Sequence, residues 1–151
     1  MATIFHRVVI EADQTKVYDA ITRQDGLSKW WIADCTAKPE VGFVNEYRVE
    51  GHGAIEFRVV DLQEGRRVEW ACCNEDHPWS KTRIVFDITE KDKACVLDFR
   101  HEGWEGQTEF FGTCSFHWAR HLLMLVHLCE TGESQLDPDV ERNEVRKVTE
   151  N

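Results

Sequence analysis

Thr82-Arg-Ile-Val-Phe-Asp-Ile-Thr-Glu-Lys-Asp-Lys-Ala-Cys-Val-Leu-Asp-Phe-Arg-His-Glu102 alternates apolar and polar side chains on either side of a Lys91-Asp92-Lys93 break. A period of two sends successive side chains to opposite faces of a strand. Ile84, Phe86 and Ile88 share one face, and Arg83, Asp87 and Thr89 the other. In the second run Leu97, Phe99 and His101 lie opposite Asp98, Arg100 and Glu102. The stretch predicts two antiparallel strands with one wet face and one strongly aromatic face.

The same rhythm extends upstream. Strand-like runs cover Ala33–Lys38, Phe43–Glu50, Ala54–Leu62 and Arg67–Cys73, and turn signals stand at Pro39 to Gly42, Gly51-His-Gly53, Glu64-Gly65 and Asn74 to Ser80. Breaks spaced about every 10 to 12 residues suit an antiparallel meander rather than βαβ units. Ile55, Phe57 and Val59 oppose Glu56 and Arg58, and Val68, Trp70 and Cys72 oppose Glu69, so the aromatic face continues across these strands. No Gly-rich phosphate loop or other cofactor motif appears, and no cofactor is expected.

A sheet that is apolar on one side has to be covered. The longest helical pattern, Phe110 to Glu130, supplies the cover, with Thr108 as its cap and Gly132 as its stop. At ~100° per residue, Phe111, Cys114, Trp118, Leu122, Leu125 and Cys129 form one stripe. Arg120 and His127 mark the far side, where Phe116 and Leu123 also fall, flanked by Met124. A helix apolar almost all round is usually buried all round, so a partner over the outer face is expected, and a homodimer covering the Phe116 and Leu123 side of this helix or another apolar surface. Ahead of the sheet, Thr3 to Ile10 reads as a strand. Ala12 to Thr22 reads as a helix capped at Asp13 or Thr15, and Leu27 to Trp31 as a second helical turn.

The chain has 151 residues, 42% of them apolar, with six tryptophans and a formal charge of −10. That length suits one domain burying about 70% of its unfolded surface. The charge disfavours a general binder of nucleic acid or of anionic membrane surfaces. No apolar run is long enough to span a bilayer, and the first ten residues lack a signal-peptide pattern, so the chain reads as cytoplasmic. Cys35, Cys72, Cys73, Cys95, Cys114 and Cys129 form no C-x-x-C pair and no zinc-type spacing, and read as small buried hydrophobes. The α+β domain is expected over residues 1–132. Residues 133–151 are expected to be a charged tail, flexible or loosely docked, in which Asp137-Pro138 could open a short helix.

One strand, two small helices, six further antiparallel strands and a long last helix is the helix-grip order. The words match as well: V-Y-D-A-I-T from Val17 to Thr22, then L-S-K-W-W ending at Trp31; V-V-D-L-Q-E-G-R-R-V-E-W from Val59 to Trp70; T-R-I-V-F-D-I-T and L-D-F-R-H-E-G up to Gly103; and L-C-E-T-G-E at the end of the helix. Over about residues 3 to 133 the chain resembles the heat-shock-protein-ninety ATPase activator homologues. These belong to the SRPBCC group, with its START-like and birch-pollen-allergen-like domains. A Gly-Trp pair usual at the start of the last helix is replaced here by Phe111-Gly112 and, later, His117-Trp118. The resemblance implies a deep cavity between sheet and long helix that takes hydrophobic or amphipathic ligands. It implies no particular reaction.

Strand parity and the helix stripe point Tyr47, Phe57, Trp70, Phe86, Phe99 and Trp118 into the space between the layers. Such walls suit a flat, apolar, lipid-like or aromatic ligand. His101 and His121 are candidate polar handles there, able to fix a carbonyl or hydroxyl or to act as acid and base. His117 and His121, spaced i, i+4, have the spacing of a metal pair but lack a third ligand, so no metal is assigned. No serine stands in a nucleophile elbow, and the strand carboxylates face outward. The leading expectation is a small-molecule binder. A cyclase- or hydrolase-type enzyme using the same cavity, or a chaperone-interacting module, are the alternatives. The loop Asn74 to Ser80 is a candidate lid, because Trp79 is costly to leave in water.

Overall fold

The computed structural model describes residues 1–51, 53–137 and 139. In chain order the elements are β1 (Ala2–Ile10), α1 (Gln14–Thr22), α2 (Gln24–Trp30), β2 (Cys35–Thr36), β3 (Val44–Val49), β4 (Gly53–Gln63), β5 (Arg67–Cys72), β6 (Arg83–Lys91), β7 (Ala94–Trp104) and α3 (Glu109–Thr131). The seven strands form one antiparallel sheet in the order β1-β7-β6-β5-β4-β3-β2. This is the helix-grip architecture expected from the sequence. The last strand returns to pair with the first, in a register that sets Phe5 opposite Arg100 and Val9 opposite Val96. The Ala33–Lys38 run shrinks to the two-residue β2, of which Cys35 and Thr36 pair with Tyr47 and Glu46.

The quoted hairpin keeps its predicted faces. Ile84, Phe86, Ile88, Leu97, Phe99 and His101 are all buried beneath the helices. The opposite face carries a ribbon of ion pairs: Arg67 contacts Asp61, Glu69 and Asp87, Arg100 contacts Asp87 and Glu102, and Arg7 contacts Asp98. Val85 departs from the alternation. It sits on this outer face between Glu69 and Arg100, yet is buried. Long arginine stems can cover an apolar neighbour while their heads stay wet, which is how a valine is shielded on a charged face.

Helix α3 starts and stops where its signals place it. The Thr108 hydroxyl accepts the Phe111 N–H at 3.2 Å, and Gly132 ends the helix in the left-handed region at φ 82°. Asp13 caps α1 by accepting the Lys16 N–H at 2.8 Å. Gly26 lets α2 close on α1, since a Cβ there would lie 2.7 Å from Ala20 Cα. The Trp30 indole N–H ties the same junction by donating to the Ala20 carbonyl at 2.8 Å. Beyond the helix, Ser134 Oγ donates to the Lys29 carbonyl at 2.7 Å and Leu136 packs on the core, so the first residues of the tail are docked. Asp137 accepts the Asp139 N–H at 3.0 Å, a cap-type contact. The rest of the helix expected there, with residues 140–151, lies outside the described residues.

Candidate aromatic site between sheet and helix

Tyr47, Phe57, Trp70, Phe86, Phe99, His101 and Trp118 come together beneath α3, and all seven are buried. Phe99 and Trp118 have ring centroids 4.5 Å apart, Trp70 and Phe86 5.3 Å, and Phe57 and Trp70 6.1 Å. His121 is also buried on α3, where its Nδ1–H donates to the His117 carbonyl at 2.7 Å. That bond is one helical turn long and ties the ring to its own helix. Among the described residues, no three His, Cys, Asp or Glu side chains are grouped to hold a metal ion.

Two tryptophans outside the periodic segments complete the cluster. Trp31, at the C-terminal cap of α2, lies 4.4 Å from Tyr47, 4.9 Å from Trp118 and 6.0 Å from Trp70 between ring centroids. Trp79 reaches in from the loop between β5 and β6, to 4.8 Å from His101 and 6.1 Å from both Phe57 and Trp118. These are contact distances for aromatic pairs. The chain's own rings thus stand between sheet and helix, where the resemblance implies a cavity. An open depression of about 510 Å³ lies elsewhere, at the end of the β6–β7 hairpin, lined by Val9, Glu11, Val96 and the Lys91–Ala94 turn. It contains none of the candidate side chains.

The polar groups of the site form a directed chain. Trp118 Nε1–H donates to His101 Nδ1 at 3.1 Å, so the His101 proton is on Nε2. That nitrogen is 2.9 Å from Thr82 Oγ1, and the Thr82 hydroxyl donates to the Trp79 carbonyl at 2.6 Å. Every donor in the series has an acceptor. Burial, with a smaller contribution from His77, lowers the His101 pKa to about 3, which keeps the ring neutral. A base that weak, with both nitrogens engaged, is suited to holding geometry. It does not fit the near-neutral acid–base role open to it in the sequence.

The loop carrying Trp79 is fixed at its C-terminal side. Gly103, at φ +92°, lets β7 run so close to Lys81 that a Cβ would meet the Lys81 carbonyl oxygen at 2.8 Å. The Trp79 indole is held more lightly, by one N–H donated to the Cys114 sulfur at 3.4 Å. Burial pushes the Cys114 thiol up to about 11. Two further polar side chains mark the compartment. Asn45 is buried, accepts the Lys38 N–H and donates to the Tyr47 hydroxyl at 3.1 Å. The Trp104 ring is 4.9 Å from His101 and its Nε1–H is buried without a hydrogen-bond partner among the described residues. Trp31, Trp104, Asn45 and Thr82 are not among the residues the sequence picked out.

Comparison with known proteins agrees with this architecture. No curated protein matches the chain. A solved structure described as the Aha1 dimer from Colwellia psychrerythraea shares 32% identity, with a TM-score of 0.82 over 89% of this chain and 100% of that one. A protein from Mesorhizobium loti shares 17% identity at a TM-score of 0.75, covering 84% of this chain and 96% of that one. DynU16, described as a putative protein in the dynemicin biosynthetic locus, shares 14% at 0.77, covering 90% of this chain and 50% of that one. The latter two likenesses concern the fold alone. Among the described residues, no helix is long and apolar enough to cross a membrane. Residues 11–130 match the family described as Activator of Hsp90 ATPase homolog 1-like protein, and with strand order, helix cover and sequence in accord the chain belongs to that family.

Proposed function

We propose that this protein binds a flat, uncharged, largely apolar small molecule between sheet and α3, in the place taken by the Trp79 indole. The observation that carries the reading is the origin of that ring: it comes from a loop, and its one hydrogen bond goes to a thiol, a weak acceptor. Tyr47, Phe57, Trp70, Phe86, Phe99 and Trp118 supply the walls, and His101 keeps Trp118 oriented from beneath. The buried Trp104 N–H offers a donor to a ligand carbonyl or hydroxyl near the mouth. A charged ligand is disfavoured, because His101 and Cys114, which lie against the rings, are held neutral by burial. Replacing Trp79 with Ala should leave the fold intact and raise affinity for an apolar fluorescent dye. Native mass spectrometry of the purified protein should show a retained small molecule. A folded Trp79→Ala protein that binds neither dye nor any of a panel of flat aromatic compounds overturns the reading.

A second reading concerns assembly. We propose that the protein is a homodimer, supported by the relative from Colwellia psychrerythraea, which is described as a dimer. Sedimentation velocity across the micromolar range tests it, and a monomer throughout would refute it. The family's description names an activator of a chaperone ATPase, and the chaperone is the partner to try by pulldown if the compartment proves empty.

A further inference from the structure

Resting on that homodimer reading, we infer that the outer face of α3 is the seam between the two copies, built on Gly112, Phe116, Ala119, Leu123 and Val126. These positions are spaced 4, 3, 4 and 3 residues, a two-heptad apolar run of the kind that packs helix against helix. The run borders the protein's own core, against which Val126 is partly packed, while its two largest residues point away from it. Phe116 is 57% and Leu123 64% exposed, while the core-facing stripe of Cys114, Trp118, Leu122, Leu125 and Cys129 is buried. Between Phe110 and Cys129 the helix carries one formal charge, Arg120. The 28 acidic residues of the chain all lie elsewhere, among them Asp61, Glu69, Asp87 and Asp98 in the ion pairs of the outer sheet face. Two molecules each bearing −10 can approach most closely where neither presents a carboxylate, and this helix face is such a place.

The run is also complementary to itself. In an antiparallel pair about a two-fold axis level with His121, Leu123 meets the partner's Ala119, and Phe116 meets the partner's Val126. Large residues then oppose small or medium ones in each layer, as an isologous contact requires. Gly112 fits the same picture. It is a helical glycine at ordinary φ, and an added Cβ would find nothing within 4 Å, so nothing inside the monomer calls for its lack of a side chain. Across the seam it would let the partner's backbone approach closely. The strip from Gly112 to Val126 is about 21 Å long. β1 runs beside it, since His6 reaches the Ser115 carbonyl and Glu130 accepts the Glu11 N–H.

The test is sedimentation velocity on the full chain, wild type against Leu123→Glu and Gly112→Leu, with Phe5→Arg on β1 as a control. Both helix variants should stay folded by circular dichroism, because Leu123 is exposed and Gly112 has open space around it. Each should weaken self-association by about 100-fold or more, as loss of a central anchor does. Phe5→Arg should leave it within a few-fold of wild type. A wild-type dimer that survives both helix variants overturns the α3 seam while the homodimer stands. A wild type that is monomeric throughout removes both.

Discussion

Acid should weaken this protein through His101 in a way that can be isolated from all its other titrating groups. The ring is fully buried, and its pKa is lowered from 6.5 to about 3, first by burial and then by His77. Between those two values the unfolded chain binds a proton that the folded chain refuses, so stability rises with pH across the window. The contribution is intact above pH 6.5 and is lost progressively as pH falls toward 3. At pH 5 the unfolded histidine lies 1.5 units below its pKa, which costs about 2 kcal/mol relative to pH 7.5. That figure depends little on how far below 4 the folded value lies, because the folded ring is neutral at pH 5 either way. The assay is urea denaturation of wild type and His101→Gln at several pH values between 5 and 7.5. The variant will be less stable at every pH, since Trp118 and Thr82 lose a well-fitted partner. The pH-dependent part of the difference is the test. The gap between the two proteins should narrow by about 2 kcal/mol on going to pH 5, about one molar urea in midpoint for a typical slope. Carboxylates titrate alike in both and cancel. Parallel pH profiles would refute the claim that His101 is held neutral.

Two further substitutions probe the same framework. Thr82→Val keeps volume but leaves the His101 Nε2–H buried without its acceptor, and should cost about 1–3 kcal/mol in chemical denaturation. Gly26→Ala places a methyl 2.7 Å from the Ala20 backbone. It should prise α2 from α1, costing about 1–3 kcal/mol and lowering Tm by several degrees in calorimetry; an unchanged Tm would mean that the two helices are not held that closely.

The parts of this fold that repeat were readable, and the parts that happen once were not. Alternation along β6 and β7 put Phe86, Phe99 and His101 on the inner face, and helical spacing put Trp118 there. In both cases the backbone period fixes where a side chain points. Thr108 and Gly132 bounded α3 because capping chemistry is local. Trp31 follows a helix end, and Trp79 sits in a ten-residue connection. No period governs either, yet each joins several of the aromatic contacts. Trp79 was marked as a lid candidate from its cost in water alone, which says that the ring must be covered but not by what. The inward side of His121 was legible from the helical wheel. Its bond to the His117 carbonyl was not, because that depends on a rotamer rather than on spacing.

How Trp79 is anchored decides what kind of opening the site can have. Its carbonyl is held twice, since the Thr82 N–H donates to it at 3.0 Å and the Thr82 hydroxyl donates to it at 2.6 Å. Gly103 keeps β7 pressed against Lys81 just beyond. The indole has only the Cys114 sulfur and its ring contacts to hold it. Opening by rotation of the side chain therefore breaks one weak hydrogen bond, whereas opening by the whole loop breaks two good ones and strands the His101 chain. Side-chain rotation is the cheaper route, and it leaves the wall of Trp118, Phe57 and His101 in its oriented state for the ligand proposed above. A molecule bound as proposed need only replace the ring faces that Trp79 gives up, which would favour a flat aromatic compound over a flexible acyl chain.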